Sequence, residues 1–243
     1  MKDSYFKLLS NERIAKNTYE CKIAGDTSDI TAPGQFVNIK LDGFYLRRPI
    51  SVCNVEGDTL TLIYKVVGEG TEKMSRACPG EEWLVLTGLG NGYDLTKSGE
   101  KPVLIGGGAG VPPMYLLARR LIGEGKHPSV ILGFNTKDEV FYRDEFEALG
   151  VPVRVATADG SLGVRGFVTD AIEGVEYTYF YTCGPEPMLR ALYGKTETSG
   201  QLSFEERMGC GFGACMGCTC RTKYGNKRIC RDGPVLEKEE IIW

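Results

Sequence analysis

Residues 102–125 read PVLIGGGAGVPPMYLLARRLIGEG, and this stretch decides the fold of the central part of the chain. The apolar run Pro102–Ile105 predicts a buried strand that leads into the glycine-rich turn Gly106–Gly110. A helix is expected over Pro112–Glu124, because a proline is well tolerated in the first helical turn. A strand, a glycine-rich turn and a helix in this order are typical of a phosphate-binding site in a parallel sheet.

The turn departs from the strict G-x-G-x-x-G spacing, since Val111 or Pro113 stands where the third glycine would be. We therefore expect a related nicotinamide-binding sheet rather than the classical dinucleotide fold, with a plain strand–helix connection as the alternative. The same type of sheet is expected over residues 98–200, where strands and helices alternate. The further predicted elements are strands at Ser129–Phe134, Pro152–Thr157 and Tyr177–Thr182 and helices at Arg143–Leu149 and Gly166–Ile172.

Cys183-Gly184-Pro185 follows the last of these strands directly. The carboxyl end of a parallel strand faces the crevice in which such sheets bind ligands, so Cys183 is a candidate neighbour of nicotinamide. A buried core thiol is the equally simple alternative.

Residues 1–97 have a different pattern, in which short strands are separated by turn residues. This pattern predicts an antiparallel barrel or sandwich with one short helix at Glu72–Ala77. The clearest strands are Thr18–Ile23, Gln35–Leu41, Thr59–Val66 and Glu82–Leu86.

Two features of this region could bind phosphate. Arg47 and Arg48 precede a strand, and an arginine fork binds phosphate bidentately. Gly68-Glu69-Gly70-Thr71 precedes the predicted helix and offers backbone N–H groups and a hydroxyl. Taken alone, an arginine before a proline is usually a surface residue and Gly-Glu-Gly is usually an ordinary turn. The nicotinamide-type turn downstream is what favours a shared pyrophosphate.

Five of the nine cysteines lie in the C-terminal region, at Cys210, Cys215, Cys218, Cys220 and Cys230. The first three follow a C-x4-C-x2-C spacing, which is the plant-type [2Fe–2S] pattern, and Cys230 is the expected fourth ligand. Glycines surround them and allow backbone N–H groups to approach an anionic cluster. Residues 201–243 are too few for a hydrophobic core of their own, so we expect a metal centre to organise them.

A four-cysteine zinc site is the alternative for this region, although zinc sites usually pair two short knuckles. Cys220 could replace Cys230 as a ligand, but a buried thiol beside the cluster is the favoured interpretation. Cys21, Cys53 and Cys78 are interpreted as small buried hydrophobic residues.

Composition excludes several classes of function. The chain has 243 residues, a net charge of −3 and a single histidine, His127. A slightly acidic chain carries no electrostatic footprint for nucleic acid and no polybasic membrane signal. A single histidine rules out catalytic mechanisms that need two histidines, such as that of a His-Glu-x-x-His zinc protease. No secretory signal or apolar membrane span is visible, so a cytoplasmic, reducing location is expected, where clustered cysteines are metal ligands or redox groups.

Taken together, the Arg-x-x-Ser strand, Gly-x-Gly-Thr, the glycine-rich turn and Cys-Gly-Pro resemble the ferredoxin–NADP reductase superfamily. The segment ERMGCGFGACMGC…ICRDGPV is similar to the electron-transfer subunits of NAD-dependent, two-component dihydroorotate dehydrogenases. The resemblance implies a multi-domain β plus α/β fold. Its parts would be an FAD-binding β-barrel at 1–97, an NAD-binding domain at 98–200 and a [2Fe–2S] domain at 201–243.

The resemblance also assigns residues to cofactors. FAD would contact Arg48, Pro49, Ile50, Ser51, Ile63, Tyr64, Lys65, Gly70 and Thr71, with Arg48 on the pyrophosphate. NAD would face Gly107, Gly108, Ala109, Gly110, Cys183, Gly184 and Pro185. The cluster would be held by Cys210, Cys215, Cys218 and Cys230. Ile50 departs from the superfamily, which commonly has an aromatic residue there, so ring stacking on the flavin is not expected at this position.

The function implied is electron transfer in pyrimidine biosynthesis, from FMN in a separate catalytic subunit through the cluster and FAD to NAD. No residue of this chain is expected to act as a catalytic base. The family implies a heterotetramer of two catalytic and two electron-transfer subunits. The alternatives are a related sulfide dehydrogenase or ferredoxin-linked transhydrogenase subunit, and a zinc-stabilised binding module without redox activity.

Overall fold

A computed structural model describes all 243 residues, and its N-terminal part is a closed antiparallel barrel. Six strands close in the order β1-β2-β5-β4-β3-β6. Their alternating apolar side chains, such as Leu60 and Leu62 on β5, fill the interior. The barrel contains β1 (Lys2–Ala15), β2 (Thr18–Ala24), β3 (Phe36–Lys40), β4 (Arg48–Glu56), β5 (Thr59–Lys65), helix α1 (Glu69–Ser75) and β6 (Glu82–Leu89).

A seven-stranded sheet follows, in the order β10-β9-β8-β7-β11-β12-β15. All of its strand pairs are parallel except the last, in which β15 runs antiparallel to β12. Its strands are β7 (Pro102–Gly107), β8 (Ser129–Phe134), β9 (Val153–Thr157), β10 (Val164–Arg165), β11 (Tyr179–Cys183), β12 (Gly200–Ser203) and β15 (Val235–Glu237). Its helices are α2 (Val111–Gly123), α3 (Arg143–Ala148), α4 (Val168–Ala171) and α5 (Glu186–Lys195). No helix has the length and apolar character that crossing a bilayer requires.

The C-terminal region consists of the cluster loop, which we define as residues 208–218, a hairpin and the edge strand β15. The hairpin is β13 (Thr219–Thr222) and β14 (Gly225–Arg228). Ile229 and Leu236 are buried in the same apolar cluster as Val103 and Ile105 of the sheet. The region therefore shares the sheet's core, and a metal centre is not its only source of order. The expected domain boundary at 200/201 falls inside β12.

The predicted fold class is confirmed, with shifts at particular elements. Helix α1 begins at Glu69 rather than Glu72, because the side chain of Thr71 forms a capping arrangement with the extended Gly68. The first strand and helix α5 were not predicted from the sequence. Cys78 is exposed in the turn after α1, so its interpretation as a buried residue is wrong, whereas Cys21 and Cys53 are buried as expected.

Candidate functional site

Arg48 and the N-terminus of α1 come together, as expected for two halves of one phosphate site. A methyl group added at Gly70 would lie 2.0 Å from Nε of Arg48, so the guanidinium rests directly on the helix backbone there. The guanidinium also lies 4.7 Å from the ring centroid of Phe44, and its Nη1 donates to the carbonyl of Leu46 at 2.6 Å. The first N–H groups of a helix have no partner within the helix, so a cation and free donors face the same space.

Some predicted or neighbouring residues also form hydrogen bonds that stabilise the fold. Arg47 forms two 2.8 Å bonds with the carboxylate of Asp3, so it is not available for a phosphate fork. The hydroxyl of Thr71 accepts backbone N–H bonds within its own turn at 3.0 and 3.3 Å. Tyr64 is 2% exposed inside the barrel and donates its hydroxyl to Asn11 at 2.8 Å. Thr71 and Tyr64 thus shape the turn and the barrel.

A pocket joins the barrel to the sheet where the sequence predicts flavin and nicotinamide to meet. It is lined by Ile63 and Lys65 from the end of β5 and by Gly108 and Ala109 from the glycine-rich turn. Lys65 pairs with Glu139 across the pocket at 3.6 Å. Pro49, Ile50 and Ser51 lie at the start of β4, where they pair with β3, while the pairing of β4 with β5 begins at Val52. Pro49 is exposed and the other two are half-buried.

The glycine-rich turn packs directly on the Cys-Gly-Pro turn. A Cβ at Gly110 would lie 2.1 Å from the carbonyl oxygen of Cys183, and a Cβ at Gly107 would lie 2.4 Å from Sδ of Met188. A Cβ at Gly184 would lie 2.4 Å from Cε of the same Met188 side chain. Contact with the backbone of Cys183 therefore explains Gly110, whereas Gly107 and Gly184 lie against the flexible side chain of Met188. Only Gly108 and Ala109 of the turn are accessible to a ligand.

The two turns lie at the topological switch point of the sheet. The chain passes from β7 through β8 to β9 on one side, and β11 and β12 lie on the other side of β7. Ligands of open parallel sheets bind in the crevice at this point, outside the carboxyl ends of the strands. Cys183 ends β11 here, and burial raises the pKa of its thiol to about 12, with the Ser203 hydroxyl acting in the opposite direction. The thiol is therefore neutral at physiological pH.

The cluster loop presents backbone donors to sulfur. The N–H groups of Ala214 and Cys215 point to Sγ of Cys210 at 3.2 and 3.4 Å. The N–H of Cys230 donates to Sγ of Cys218 at 3.4 Å, and both of these residues are almost fully buried. N–H donors of this kind stabilise anionic sulfur, which is the form that binds iron.

The thiols differ in acidity. Burial opposes ionisation of Cys210, but the backbone N–H groups of Cys215 and Phe212 outweigh it and lower its pKa to about 6. Burial and the neighbouring Cys218 raise the pKa of Cys230 to about 12. No three Cys, His, Asp or Glu side chains in this structure converge into a preformed metal site. The fit to a cluster comes from the donor chemistry and the glycine-rich loop.

Two asparagines that the sequence analysis missed anchor the C-terminal region. Asn38 of β3 donates to the carbonyl of Cys210 at 3.4 Å, and a Cβ at Gly211, whose φ is +81°, would lie 2.3 Å from Nδ2 of Asn38. Asn91 brackets Val235, donating to its carbonyl at 2.8 Å and accepting its N–H at 3.1 Å. No local pattern marks either asparagine, because its partner lies more than 140 residues away in the chain.

Cys220 lies on the hairpin and is half-buried against the apolar cluster that also contains Cys218. Burial raises the pKa of its thiol. Its backbone pairs with Lys227 on β14. This position matches the interpretation of Cys220 as a thiol beside the cluster, which stays a prediction.

Two family models match the chain. One describes the iron-sulfur cluster binding domain of dihydroorotate dehydrogenase B and matches residues 205–242, and the other describes an oxidoreductase NAD-binding domain and matches residues 104–193. The first match favours an iron–sulfur cluster over zinc. Among solved structures, that of an NADH-dependent reduced ferredoxin-NADP oxidoreductase has a TM-score of 0.90 and 28% identity, covering 99% of this chain and 90% of that one. A ferredoxin NADP+ reductase from Neisseria gonorrhoeae shares the fold, with a TM-score of 0.69 and 17% identity over 80% of this chain and 90% of its own.

Curated relatives match almost the whole chain. The electron transfer subunit of dihydroorotate dehydrogenase B (NAD(+)) from Bacillus mycoides is 44% identical over 97% of this chain and 96% of its own. The corresponding subunit from Fusobacterium nucleatum is 47% identical over 95% of both chains. The predicted electron-transfer function and the predicted set of cofactor-binding domains are confirmed by these matches. This chain belongs to the family of electron transfer subunits of NAD-dependent dihydroorotate dehydrogenase B.

Proposed function

We propose that this chain conducts electrons between a [2Fe–2S] cluster, FAD and NAD, each bound at a separate part of the fold. The cluster ligands in this proposal are Cys210, Cys215, Cys218 and Cys230. FAD lies along Arg48–Ser51 and Ile63–Lys65, with its pyrophosphate between Arg48 and the turn at Gly70 and Thr71. NAD would bind in the crevice outside the carboxyl ends of the strands, where Gly107–Gly110 and Cys183–Pro185 meet. When bound, nicotinamide exchanges two electrons as a hydride, the cluster exchanges one at a time, and flavin exchanges either number.

The strand order of the barrel is the observation that carries this proposal. Strand β4, which bears Arg48 and Ser51, lies between β5 and β3. The end of β5 lines the pocket shared with Gly108, and β3 contacts the cluster loop through Asn38. The flavin strand is therefore flanked on one side by the nicotinamide turn and on the other by the cluster loop, which is the order that the chemistry of the three groups requires.

The residues themselves bind and orient rather than transfer protons. Arg48 neutralises phosphate charge beside the α1 N-terminus. The neutral thiol of Cys183 adds no charge to the nicotinamide crevice. The N–H groups around Cys210 stabilise thiolate sulfur. We assign no general base to this chain, so dihydroorotate oxidation belongs to another subunit.

That other subunit is the partner implied by the names of the relatives, which call each of them an electron transfer subunit. We propose that the partner carries FMN, that two copies of each chain form a heterotetramer, and that the assembly is cytoplasmic. The cluster loop is the expected contact, because Phe212 and Met216 expose apolar side chains there. The cluster held by the four cysteines would exchange single electrons with the partner at this contact.

Anaerobic reduction of the purified chain by NADH tests the route. We expect yellow-brown protein with FAD and two irons per chain, in which flavin absorbance and cluster absorbance both bleach. In Cys215→Ser, the flavin should still bleach while the cluster signal is lost. A colourless protein that contains zinc and no iron would contradict the proposal.

Co-expression with the partner tests the substrate. An FMN-containing partner that turns over dihydroorotate with NAD supports the proposal. A polysulfide-reducing or glutamate-synthase-like partner would reassign the chain to another reductase system of the same superfamily.

A further inference from the structure

Arg228 lies at the end of the hairpin, two residues before Cys230, and reaches back to the cluster loop. Its Nη1 donates to the carbonyl of Gly213 at 3.0 Å. Gly213 has a φ of +90°, and a Cβ there would lie 2.6 Å from Cδ of Arg231, so the loop can follow this path only with glycine. A single side chain thus joins the loop that carries Cys215 to the segment that carries Cys230.

Asp232 holds this arginine in place with both carboxylate oxygens. Oδ2 accepts the backbone N–H of Arg228 and its Nε, each at 2.9 Å, and Oδ1 accepts Nη2 at 3.1 Å. An aspartate is ionised at physiological pH on its ordinary pKa, so these bonds join an anion to the guanidinium cation. A bidentate pair of this kind fixes the direction of the guanidinium as well as its position.

Arg228 lies between the segments that carry the four cysteines. Its Nη1 would be 3.4 Å from a Cβ at Gly213, which stands between Cys210 and Cys215 in the cluster loop. Its backbone pairs with Thr219, the residue after Cys218, and the next N–H, that of Ile229, donates to the carbonyl of Cys218 at 3.1 Å. The cation is therefore held beside the cluster loop and beside the segment that carries Cys230.

We propose that Arg228 is a positioning residue that fixes the cluster loop through Gly213, and that its charge raises the reduction potential of the cluster. Asp232 orients the guanidinium and partly offsets its charge. The inference rests on the proposed ligation by the four cysteines. A cluster gains one negative charge on reduction, so a nearby cation favours the reduced form and a nearby carboxylate disfavours it. The Arg-Asp-Gly-Pro segment that follows Cys230 supplies the carboxylate.

The test is a spectroelectrochemical titration of the complete chain, co-expressed with its partner, with iron content measured on every sample. Arg228→Gln should change the one-electron reduction equilibrium of the cluster about tenfold. This corresponds to a reduction potential that is about 59 mV more negative. Arg228→Lys, which keeps the charge, should stay closer to the wild type. Arg221→Gln is the matched control, because Arg221 lies on the same hairpin and makes no hydrogen bond to the cluster loop.

The outcomes separate this inference from the proposed function. Wild-type protein without iron would refute the ligand assignment itself. Arg228→Gln with full iron and an unchanged potential would overturn the role of Arg228. If Arg228→Gln does not retain iron, Asp232→Asn decides, because asparagine keeps an acceptor for the guanidinium and removes a negative charge. A less negative potential in Asp232→Asn supports the inference, and an unchanged or more negative potential overturns it.

Discussion

Gly70→Ala should weaken FAD binding without unfolding the barrel. The new methyl group would lie 2.0 Å from Nε and 2.4 Å from Nη2 of Arg48, so the guanidinium must leave the helix N-terminus. The atoms in the way belong to the end of a flexible side chain, so the backbone need not move. The variant therefore removes the cation from the phosphate site while the fold remains.

The magnitude follows from the bonds that Arg48 would lose. A hydrogen bond between charged groups contributes about 1.5–3 kcal/mol. Since about 1.4 kcal/mol corresponds to a tenfold change in affinity, the Kd for FAD should rise about ten- to a hundredfold. Flavin fluorescence during titration of the apoprotein measures this Kd, and thermal unfolding of the apoprotein should be nearly unchanged.

Gly68→Ala is the matched control. Gly68 has an extended backbone with φ −179°, and a Cβ there meets nothing within 4 Å, so the Kd should change little. Combining Gly70→Ala with Arg48→Ala should add almost nothing to the loss caused by Arg48→Ala alone, because both act on one guanidinium. Full additivity, or wild-type affinity in Gly70→Ala, would refute the assignment of Arg48 to the pyrophosphate.

Three further predictions concern the cysteines and the turn beside them. Cys215→Ser should lose the two irons of the cluster, whereas Cys220→Ser should keep them; iron analysis and visible absorbance decide, and iron retained in the first variant contradicts the ligand set. Gly110→Ala places a methyl group against the backbone carbonyl of Cys183, which cannot move away. The variant should therefore be less stable by about 1–3 kcal/mol and should reduce dye more slowly with NADH. An unchanged Tm would contradict this packing argument. Burial raises the pKa of the Cys183 thiol from 9.0 to about 12. The contribution of the neutral thiol to the free energy of unfolding is therefore complete below pH 9 and is lost as the pH rises toward 12. Alkylation at pH 8, followed by peptide mass spectrometry, should modify the exposed Cys78 well before Cys183, and the reverse order would contradict this protonation state.

The sequence predicted the parts of the fold whose signals are local. The apolar run before Gly106 and the proline-led helix after it indicate a parallel strand and its crossover, and both are present at β7 and α2. The first strand was missed because it is long and largely exposed, with charges at Lys7 and Arg13 among its outward-facing positions. Strand β15 was missed because its three residues are stabilised by pairing with β12, more than 30 residues earlier.

The candidate site shows the same difference between local features, which the sequence predicts, and long-range contacts, which it does not. Residue types at short spacing, such as the cysteine pattern and the Cys-Gly-Pro turn, could be assigned to a chemistry from the sequence. The different roles of Arg47 and Arg48 could not be assigned from the sequence, because Arg47 forms an ion pair with Asp3, which lies 44 residues earlier. The glycines of the turn were expected for ligand approach, but Gly110 is required by the carbonyl of Cys183 on the neighbouring strand.

The barrel has a further consequence for electron transfer between the proposed sites. Strand β4 connects the strand that contacts the cluster loop to the strand that lines the nicotinamide pocket, because it pairs with β3 through Arg48–Ser51 and with β5 through Val52–Glu56. Closure of the barrel holds these three strands in place, because each of them is hydrogen-bonded on both sides. Asn38 ties the cluster loop to β3, directly opposite Pro49 of β4 in the strand register. The relative positions of the cluster loop and the flavin strand are therefore set by the barrel itself, and the hairpin and edge strand of the C-terminal region need only hold the cysteines against it.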